Sequence, residues 1–551
     1  MKNLVAESTH CLLVQPRFSG HSFWNYSDVC ELVGAKYPAA PLGLMTVAAL
    51  MPQRWTFRLV DENVRSLTEA DLEWAGIVLV SSMLPQQKGA LAVIRRAHRG
   101  GKPVAVGGPD VTSQPHIYRE ADFLVLGEGE ITIPLFLADL ARGATSGEYR
   151  SSLRADMAQA VIPRFDLIHF PDYLQVGVQF CRGCPFNCEF CDIIELFGRK
   201  PRSKTPEHMV AELQSLYDLG YRGHVDFVDD NFIANKSKVA DVLQAVADWS
   251  SHHGYPFYFS TEASINLAAE EKLLRLMEEL DFRYVFLGLE SPDDEVLIQT
   301  QKRQNRGVSA VEAVRILNEH GMIVNGGFIL GFDSETEATA WHMIDLIQET
   351  GICMAMVGTL TALPNTQLSR RLKRDGRLFW GGQARVEAAE DIDQTTSGLN
   401  FVTTRPRTAI LRDFIEVLRQ VYDPQKYYER VLLTATQLRP AYKARPRLIE
   451  KMAMARAFLR LSLKAGFNRR TGRLYWLTLG KVLLRNPRAV EAAVNLAAMY
   501  LHFSRQAAFV IHMLEQRIAG VERCGEDRYN HLMTDGQDVS LCTTGRMVSG
   551  V

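Results

Sequence analysis

The sequence predicts an α/β protein in three parts. These are an N-terminal doubly wound, Rossmann-like sheet (residues 1–145), a central partial (β/α)6 barrel (173–400) and an α-helical C-terminal domain (401–520). Three observations predict this. Short apolar runs alternate with helical periodicity from about residue 10 to 145, the rhythm of a parallel sheet. A second alternating stretch supplies six strand–helix units, short of the eight strands of a closed barrel. From about 400 onward the apolar residues recur at the helical period alone. At ~150 residues per domain, a chain of 551 residues has room for three or four domains.

The N-terminal strand candidates are CLLVQ (11–15), FRLVD (57–61), IVLVS (77–81), PVAVG (103–107) and FLVLG (123–127). Several end in loop chemistry: Gln15-Pro16, Ser81-Ser82, Gly107-Gly108-Pro109 and Gly127-Glu128-Gly129-Glu130. In open α/β sheets, ligands sit beyond the carboxyl ends of the strands, and glycine there lets a large flat ligand approach the backbone. No G-x-G-x-x-G opens the first helix, so a nicotinamide or flavin site is not supported.

A linker at 146–172 leads to LQVGVQF (174–180), HVDFVDD (224–230), PFYFSTE (256–262), YVFLGLE (284–290), VNGGFILGF (324–332) and MAMVGTLTALP (354–364). Polar residues close several of these strands: Asp229 and Asp230, Glu262, Glu290, and Asn365 after the last. Acids at the carboxyl ends of barrel strands read as a site, although each alone also fits a solvated strand end or a structural ion pair. The last stretch, 521–551, reads as a flexible tail.

The charge total conceals an asymmetry. The whole chain carries 62 Lys+Arg against 63 Asp+Glu, a net −1. Residues 401–520 carry 22 Lys+Arg against 7 Asp+Glu, a net +15, so the rest carries −16. A basic helical region with interspersed aromatics attracts RNA, an anionic lipid surface or the acidic body of its own chain. The amphipathic segment AVEAAVNLAAMYLHF from Ala489 fits a hydrophobic lipid substrate or peripheral membrane contact, although such a stripe is more often core. It contains Glu491 and Asn495, and no apolar run reaches the ~18 residues of a membrane span.

Nine cysteines, an odd number with four packed into eleven residues, read as a ligand pattern in a reducing, cytoplasmic setting. In VQFCRGCPFNCEFCDI, Cys184, Cys188 and Cys191 form C-x3-C-x2-C directly after the first barrel strand. Soft thiolates in one tight loop select zinc, copper(I) or iron–sulfur. If three thiolates hold a four-iron cluster, one iron keeps an open position. Cys181 extends the run to four thiols and leaves a zinc knuckle or a noncatalytic iron–sulfur sensor as the alternative.

C-x3-C-x-φ-C at the mouth of a partial barrel resembles the radical S-adenosylmethionine (SAM) enzymes. The longer run GCPFNCEFCDIIELFGRKPRSKTPE, with VDFVDDNF, GLES, GGFILGF and ALPNT downstream, resembles their cobalamin-dependent branch. Within that branch it is most similar to the subgroup with a helical C-terminal extension that includes the hopanoid methylases. The resemblance implies that Cys184, Cys188 and Cys191 bind a [4Fe-4S] cluster whose open iron takes SAM, with Phe190 beside the adenine. The family's glycine-glycine-glutamate segment is absent. Asp229, Asp230 and Asn231 stand in its place for the SAM amino group, with Glu262 and Glu290 as further SAM contacts.

By the same resemblance the first domain binds cobalamin, with Ser81, Ser82, Gly107, Gly108, Gly127 and Gly129 as contacts. It has no D-x-H-x-x-G after its first strand, and His21 lacks the spacing, so cobalamin is expected without a protein histidine on cobalt. The implied chemistry is methylation of an unactivated carbon through a 5′-deoxyadenosyl radical and methylcobalamin, with no catalytic residue beyond the cofactor ligands. The expected partners are a small-molecule or lipid substrate and an electron donor such as ferredoxin or flavodoxin. Nucleic acid is disfavoured, although an RNA-modifying enzyme or a radical cyclase of the same architecture remains the competing enzyme class.

Overall fold

A computed structural model describes residues 8–379, apart from 19, 21 and 24, together with 398–443 and 448–537. His21 and the chain end beyond 537 lie outside the described residues. Among the described residues, fifteen strands follow one another along the chain. They are β1 (His10–Gln15), β2 (Tyr37–Ala39), β3 (Thr56–Asp61), β4 (Ile77–Ser81), β5 (Val104–Gly107), β6 (Phe123–Val125), β7 (Gly147–Tyr149), β8 (Tyr173–Val178), β9 (Cys181–Arg182), β10 (Arg202–Ser203), β11 (Gly223–Phe227), β12 (Phe257–Ala263), β13 (Phe282–Glu290), β14 (Ile323–Leu330) and β15 (Ala355–Thr359).

The first sheet has the order β3-β1-β4-β5-β6-β7 and is parallel throughout. Its strands are near-continuous apolar runs because both faces are covered, as parallel sheets require. Leu12, Val14 and Val80 pack on one side, and Cys11, Leu13 and Leu79 on the other. The five N-terminal runs read from the sequence are five of its strands. The sixth, β7, falls in the stretch expected to be linker, where only three residues pair with β6.

The second sheet, β15-β14-β13-β12-β11-β8-β2, is also parallel and contains the six barrel strands in sequential order. Its seventh strand comes from the N-terminal region: β2 pairs with β8 through Tyr37↔Tyr173 and Ala39↔Gln175. The boundary expected at 145 is therefore crossed by the chain itself. The edge of the partial barrel is closed by a segment lying within the span of the first domain.

C-terminal helices Arg407–Val421, Pro424–Gln437 and Val490–Cys524 pack on the barrel, with Phe414, Tyr427, Tyr500 and Phe503 in its core. The helix Val490–Cys524 runs past residue 520, and Glu526–Thr534 follows as a further helix, so the region expected to be a flexible tail begins with ordered structure. The segment from Ala489 to Phe503 is core: Ala492, Ala493, Leu496, Ala497 and Phe503 are buried, in line with the commoner reading of such a stripe.

Candidate active site

The cysteine loop is built between β8 and the helix Pro206–Asp218. Asp229 holds its start: the backbone N–H groups of Phe180 (3.0 Å) and Cys181 donate to its two carboxylate oxygens. Asp229 is fully buried and spent on that clamp, so it positions the loop and is not available to the SAM amino group. Gly183, at φ +91°, lies where a Cβ would meet the carbonyl oxygens of Gly198 and Lys200 at 2.9 Å, which restricts the position to glycine. Further on, Glu189 N–H donates to Thr300 O (3.0 Å), while the Glu189 carboxylate accepts Arg371 Nε (2.5 Å).

Cys184 and Cys191 are half-buried, and Cys188 is buried. Asn231 Nδ2 points at Cys184 Sγ (3.8 Å) and Gln304 Nε2 at Cys188 Sγ (3.6 Å). Amide donors to cluster sulfurs stabilise the reduced state and tune its potential. Asn231 is fixed for this by Ser264, whose N–H and hydroxyl both donate to its Oδ1 at 3.2 Å.

Cys181 takes no part. It lies in β9 within the hydrophobic core, 2% exposed, with its thiol toward Asn231 O (3.8 Å). Burial, and then Asp229, push its pKa far up and keep it a neutral thiol.

Glu290 is also committed. It sits at φ +65° beside a register shift in β13, and Lys302 Nζ donates to it at 2.6 Å. A Cβ on Gly288 would collide with Glu290 Oε1 at 2.5 Å, so the pair rests directly on that glycine. Burial opposes the Lys302 charge, but Glu290 and then the Cys188 and Cys191 thiolates raise its pKa overall. An ammonium held beside the cluster loop is suited to an anionic group such as the SAM carboxylate. Sequence reading missed Lys302 and Gln304 because they follow a helix after β13 and match no motif.

Asp230, in the loop after β11, and Glu262, half-buried in β12, are electrostatically coupled. Burial, then Asp229 and Asp192, raise Asp230 to about 7. Burial, then Asp226, Asp230 and Asp229, raise Glu262 to about 8, so without a ligand it is protonated at neutral pH. A cationic ligand entering here would favour the carboxylates, as the SAM ammonium and sulfonium groups would. Phe190 is half-buried with its ring 5.8 Å from that of Phe332. Deeper in the barrel, Ser260 Oγ donates to Asp226 (2.5 Å), His224 Nε2 lies 2.7 Å from Ser260 Oγ, and Gln175 Nε2 donates to Asp226 (3.1 Å).

A cavity of about 360 Å3 lies at the carboxyl ends of β4, β5 and β6 and extends to Gln179, Arg182 and Val228 at the barrel mouth. Ser81, Gly107, Gly108, Gly127 and Gly129 line it, as does the apolar helix Leu42–Leu50. Ser82 does not: it is buried, and its hydroxyl pairs with Tyr118 (2.9 Å). No histidine is among the described residues that line the cavity.

Cobalamin fits these residues. Glu128 Oε1, buried at the cavity wall, accepts no hydrogen bond among the described residues, and the corrin's amides are donors. Gly108, at φ +103°, packs so closely on the end of β4 that a Cβ would press within 2.8 Å of Ser82 O, so a larger residue would push the strand ends that line the cavity apart. Gly108→Val is accordingly expected to lower cobalamin retention on gel filtration severalfold while leaving the iron content unchanged.

Comparison with known proteins agrees with this arrangement. A B12-binding domain profile matches residues 32–137, the radical SAM superfamily profile matches 178–347, and a domain of unknown function (DUF4070) matches 366–516. The uncharacterized methyltransferase sll1242 of Synechocystis is 41% identical over 96% of this chain and 95% of its own. The hopanoid C-2 methylase of Rhodopseudomonas palustris is 35% identical over 77% of this chain and 79% of its own. In fold, the cobalamin-dependent radical SAM enzyme OxsB matches with a TM-score of 0.57 over 96% of this chain and 83% of that one, at 15% identity. The radical SAM methyltransferase TsrM from Kitasatospora setae matches at 0.58 over 76% of this chain and 91% of that one, at 14% identity.

A B12-binding sheet facing a three-cysteine partial barrel defines a cobalamin-binding radical SAM enzyme. The chain belongs to the cobalamin-dependent radical SAM methyltransferase family, whose cofactors are a [4Fe-4S] cluster, SAM and cobalamin.

Proposed function

We propose that this enzyme methylates an unactivated carbon of a lipid or comparably apolar small molecule. The reading rests above all on one observation: the cavity beneath the first sheet's ligand edge continues to Gln179, Arg182 and Val228, the same barrel mouth that carries the cysteine loop. When bound, the cluster with SAM supplies the radical that takes a hydrogen atom, and cobalamin carries the methyl group. The chain's own residues hold these partners in register and exclude water. Asp229 clamps the loop, Asn231 and Gln304 hydrogen-bond two of its sulfurs, and Lys302 offers a fixed cation beside it.

The lipid class is supported by the hopanoid C-2 methylase relative. It is also supported by the half-buried Tyr258, Tyr284, Phe286 and Met356 along the barrel strands. A one-electron protein such as ferredoxin or flavodoxin, in the reducing cytoplasm, is the proposed electron source. No described helix is long and apolar enough to cross a membrane.

The test is anaerobic incubation of reconstituted enzyme with reductant, methyl-labelled SAM and a total lipid extract, read by mass spectrometry. A lipid carrying the labelled methyl group is the expected product. SAM cleavage with no label transferred to any molecule would overturn methyl transfer, and label found only outside the lipid fraction would overturn the substrate class.

A further inference from the structure

The apolar surface of this protein is concentrated in one place. Among the described residues, 22 large hydrophobic side chains stand exposed, and 11 of them fall between Leu448 and Leu484, including Phe467 at 76% and Leu484 at 87%. Scattered exposed leucines need no explanation, but such a concentration marks an interaction surface.

The two helices involved present these residues outward. On Leu448–Gly466, at 100° per residue, Leu448, Met452, Leu459 and Leu463 fall within about 60° of arc, the buried Leu461 and Ala465 lie about 130–170° from its centre, and the exposed Met454 and Phe458 lie on the side of that buried pair. On Gly472–Arg485, Trp476, Leu477, Leu483 and Leu484 oppose the buried Tyr475, Thr478 and Val482. Both helices are therefore amphipathic in the ordinary sense toward the protein and carry a second apolar stripe on the far side.

Charge selects the partner. Residues 448–488 hold ten Lys/Arg against one acid, Glu450, a net of +9. Arg460 and Lys464 are used internally, on Leu32 O (3.1 Å) and Glu31 (2.8 Å) of the helix Ser27–Val33. Arg469, Arg470, Arg473, Lys481, Arg485 and Arg488 make no ion pair among the described residues. Exposed leucines, methionines, a phenylalanine and a tryptophan interleaved with cations are the composition of an interfacial anchor. A second copy of the same face would repel this one, and a phosphate backbone would leave the leucines in water.

We propose that the helices Leu448–Gly466 and Gly472–Arg485 form a monotopic docking face for an anionic lipid bilayer. The face is joined to the rest of the molecule, because Arg460 and Lys464 grip the helix whose preceding residue, Tyr26, packs its ring against Phe503 of the core at 5.9 Å. Bilayer docking stands independently of the chemistry. That the bilayer is also the source of substrate rests on the methyltransferase reading.

The experiment is vesicle flotation of the full cofactor-loaded chain with phosphatidylcholine alone or mixed with phosphatidylglycerol. Binding is expected only to the mixed vesicles. It should weaken, yet persist, when salt rises from about 0.1 M to about 1 M and the Debye length contracts from about 10 Å to about 3 Å. Each Lys/Arg near such a surface contributes about 1 kcal/mol, so the double substitution Arg469→Glu, Arg470→Glu should reduce partitioning by about tenfold or more. Leu459→Ser with Leu463→Ser should abolish the salt-resistant fraction, with iron and cobalamin content as the check on folding.

A chain that stays unbound with anionic vesicles would overturn the proposal. So would equal binding to poly(U) RNA with no effect of the leucine substitutions. Because flotation needs no turnover, its failure is distinguishable from failure of the methyl-transfer assay.

Discussion

Cys184→Ala, Cys188→Ala or Cys191→Ala is each expected to reduce SAM cleavage and methyl transfer to background, whereas Cys181→Ala retains both. The first three thiols lie in one loop, and two of them already receive amide hydrogen bonds, from Asn231 and Gln304. Loss of any one leaves a cluster iron without its protein ligand, so the visible iron–sulfur absorption and the iron content should fall together. Cys181 is in β9 and its thiol faces the Asn231 carbonyl inside the core. Its replacement by alanine removes one buried sulfur and leaves a small cavity, a cost of about 1 kcal/mol in stability with the cluster intact. A Cys181→Ala protein that could not be loaded with iron would refute the spectator assignment.

Glu128→Ala is expected to give the largest loss of stability outside the cluster loop. Glu128 follows Gly127 on the first sheet's ligand edge, yet its carboxylate reaches the barrel. Arg202 Nη1 donates to it at 2.8 Å and Arg182 Nη1 at 3.2 Å, with the Arg154 guanidinium at 3.8 Å. Its side chain is 1% exposed, and those of Arg182 and Arg202 are nearly as sheltered. Removing one member of a buried ionic group leaves the others desolvated and underpaired, which costs about 3–5 kcal/mol. Arg182 keeps Glu130 (2.8 Å) and Arg202 keeps the Ala155 carbonyl (2.7 Å), which places the expectation at the lower end.

Thermal melting and cobalamin retention of the Glu128→Ala protein are the measurements, and both should fall. Glu128→Gln, which preserves hydrogen-bonding atoms but not the charge, should lie between it and the parent. An alanine variant that melts with the parent would show that this contact does not join the cobalamin sheet to the barrel.

What could be read in the sequence follows from how local the signal is. The C-x3-C-x2-C triad was legible because three ligands to one centre occupy a single loop, and their spacing alone brings them together. The glycine-rich strand ends were legible for a similar reason, since a parallel strand that stops at Gly107-Gly108 or Gly127 places those residues at one edge. The carboxylates were less so. Asp229, Asp230, Glu262 and Glu290 all close barrel strands, but strand position does not say where a side chain turns. Asp229 turns back to the N–H groups of Phe180 and Cys181, and Glu290 turns at positive φ onto Lys302.

The sequence by itself therefore determined the two parallel sheets, the helical C-terminal region, the three ligand thiols and the glycine edge. Each rests on periodicity or on spacing along a few consecutive residues. Only the tertiary structure decided that β2 leaves its own domain's sheet to close the barrel edge, because three residues carry no pattern strong enough to choose between two sheets. Only packing decided that the helix from Val490 is core while the apolar residues of Leu448–Gly466 and Gly472–Arg485 face outward. A hydrophobic stripe in a sequence states that a face prefers to leave water, and the neighbours present in the folded chain decide what it leaves water for.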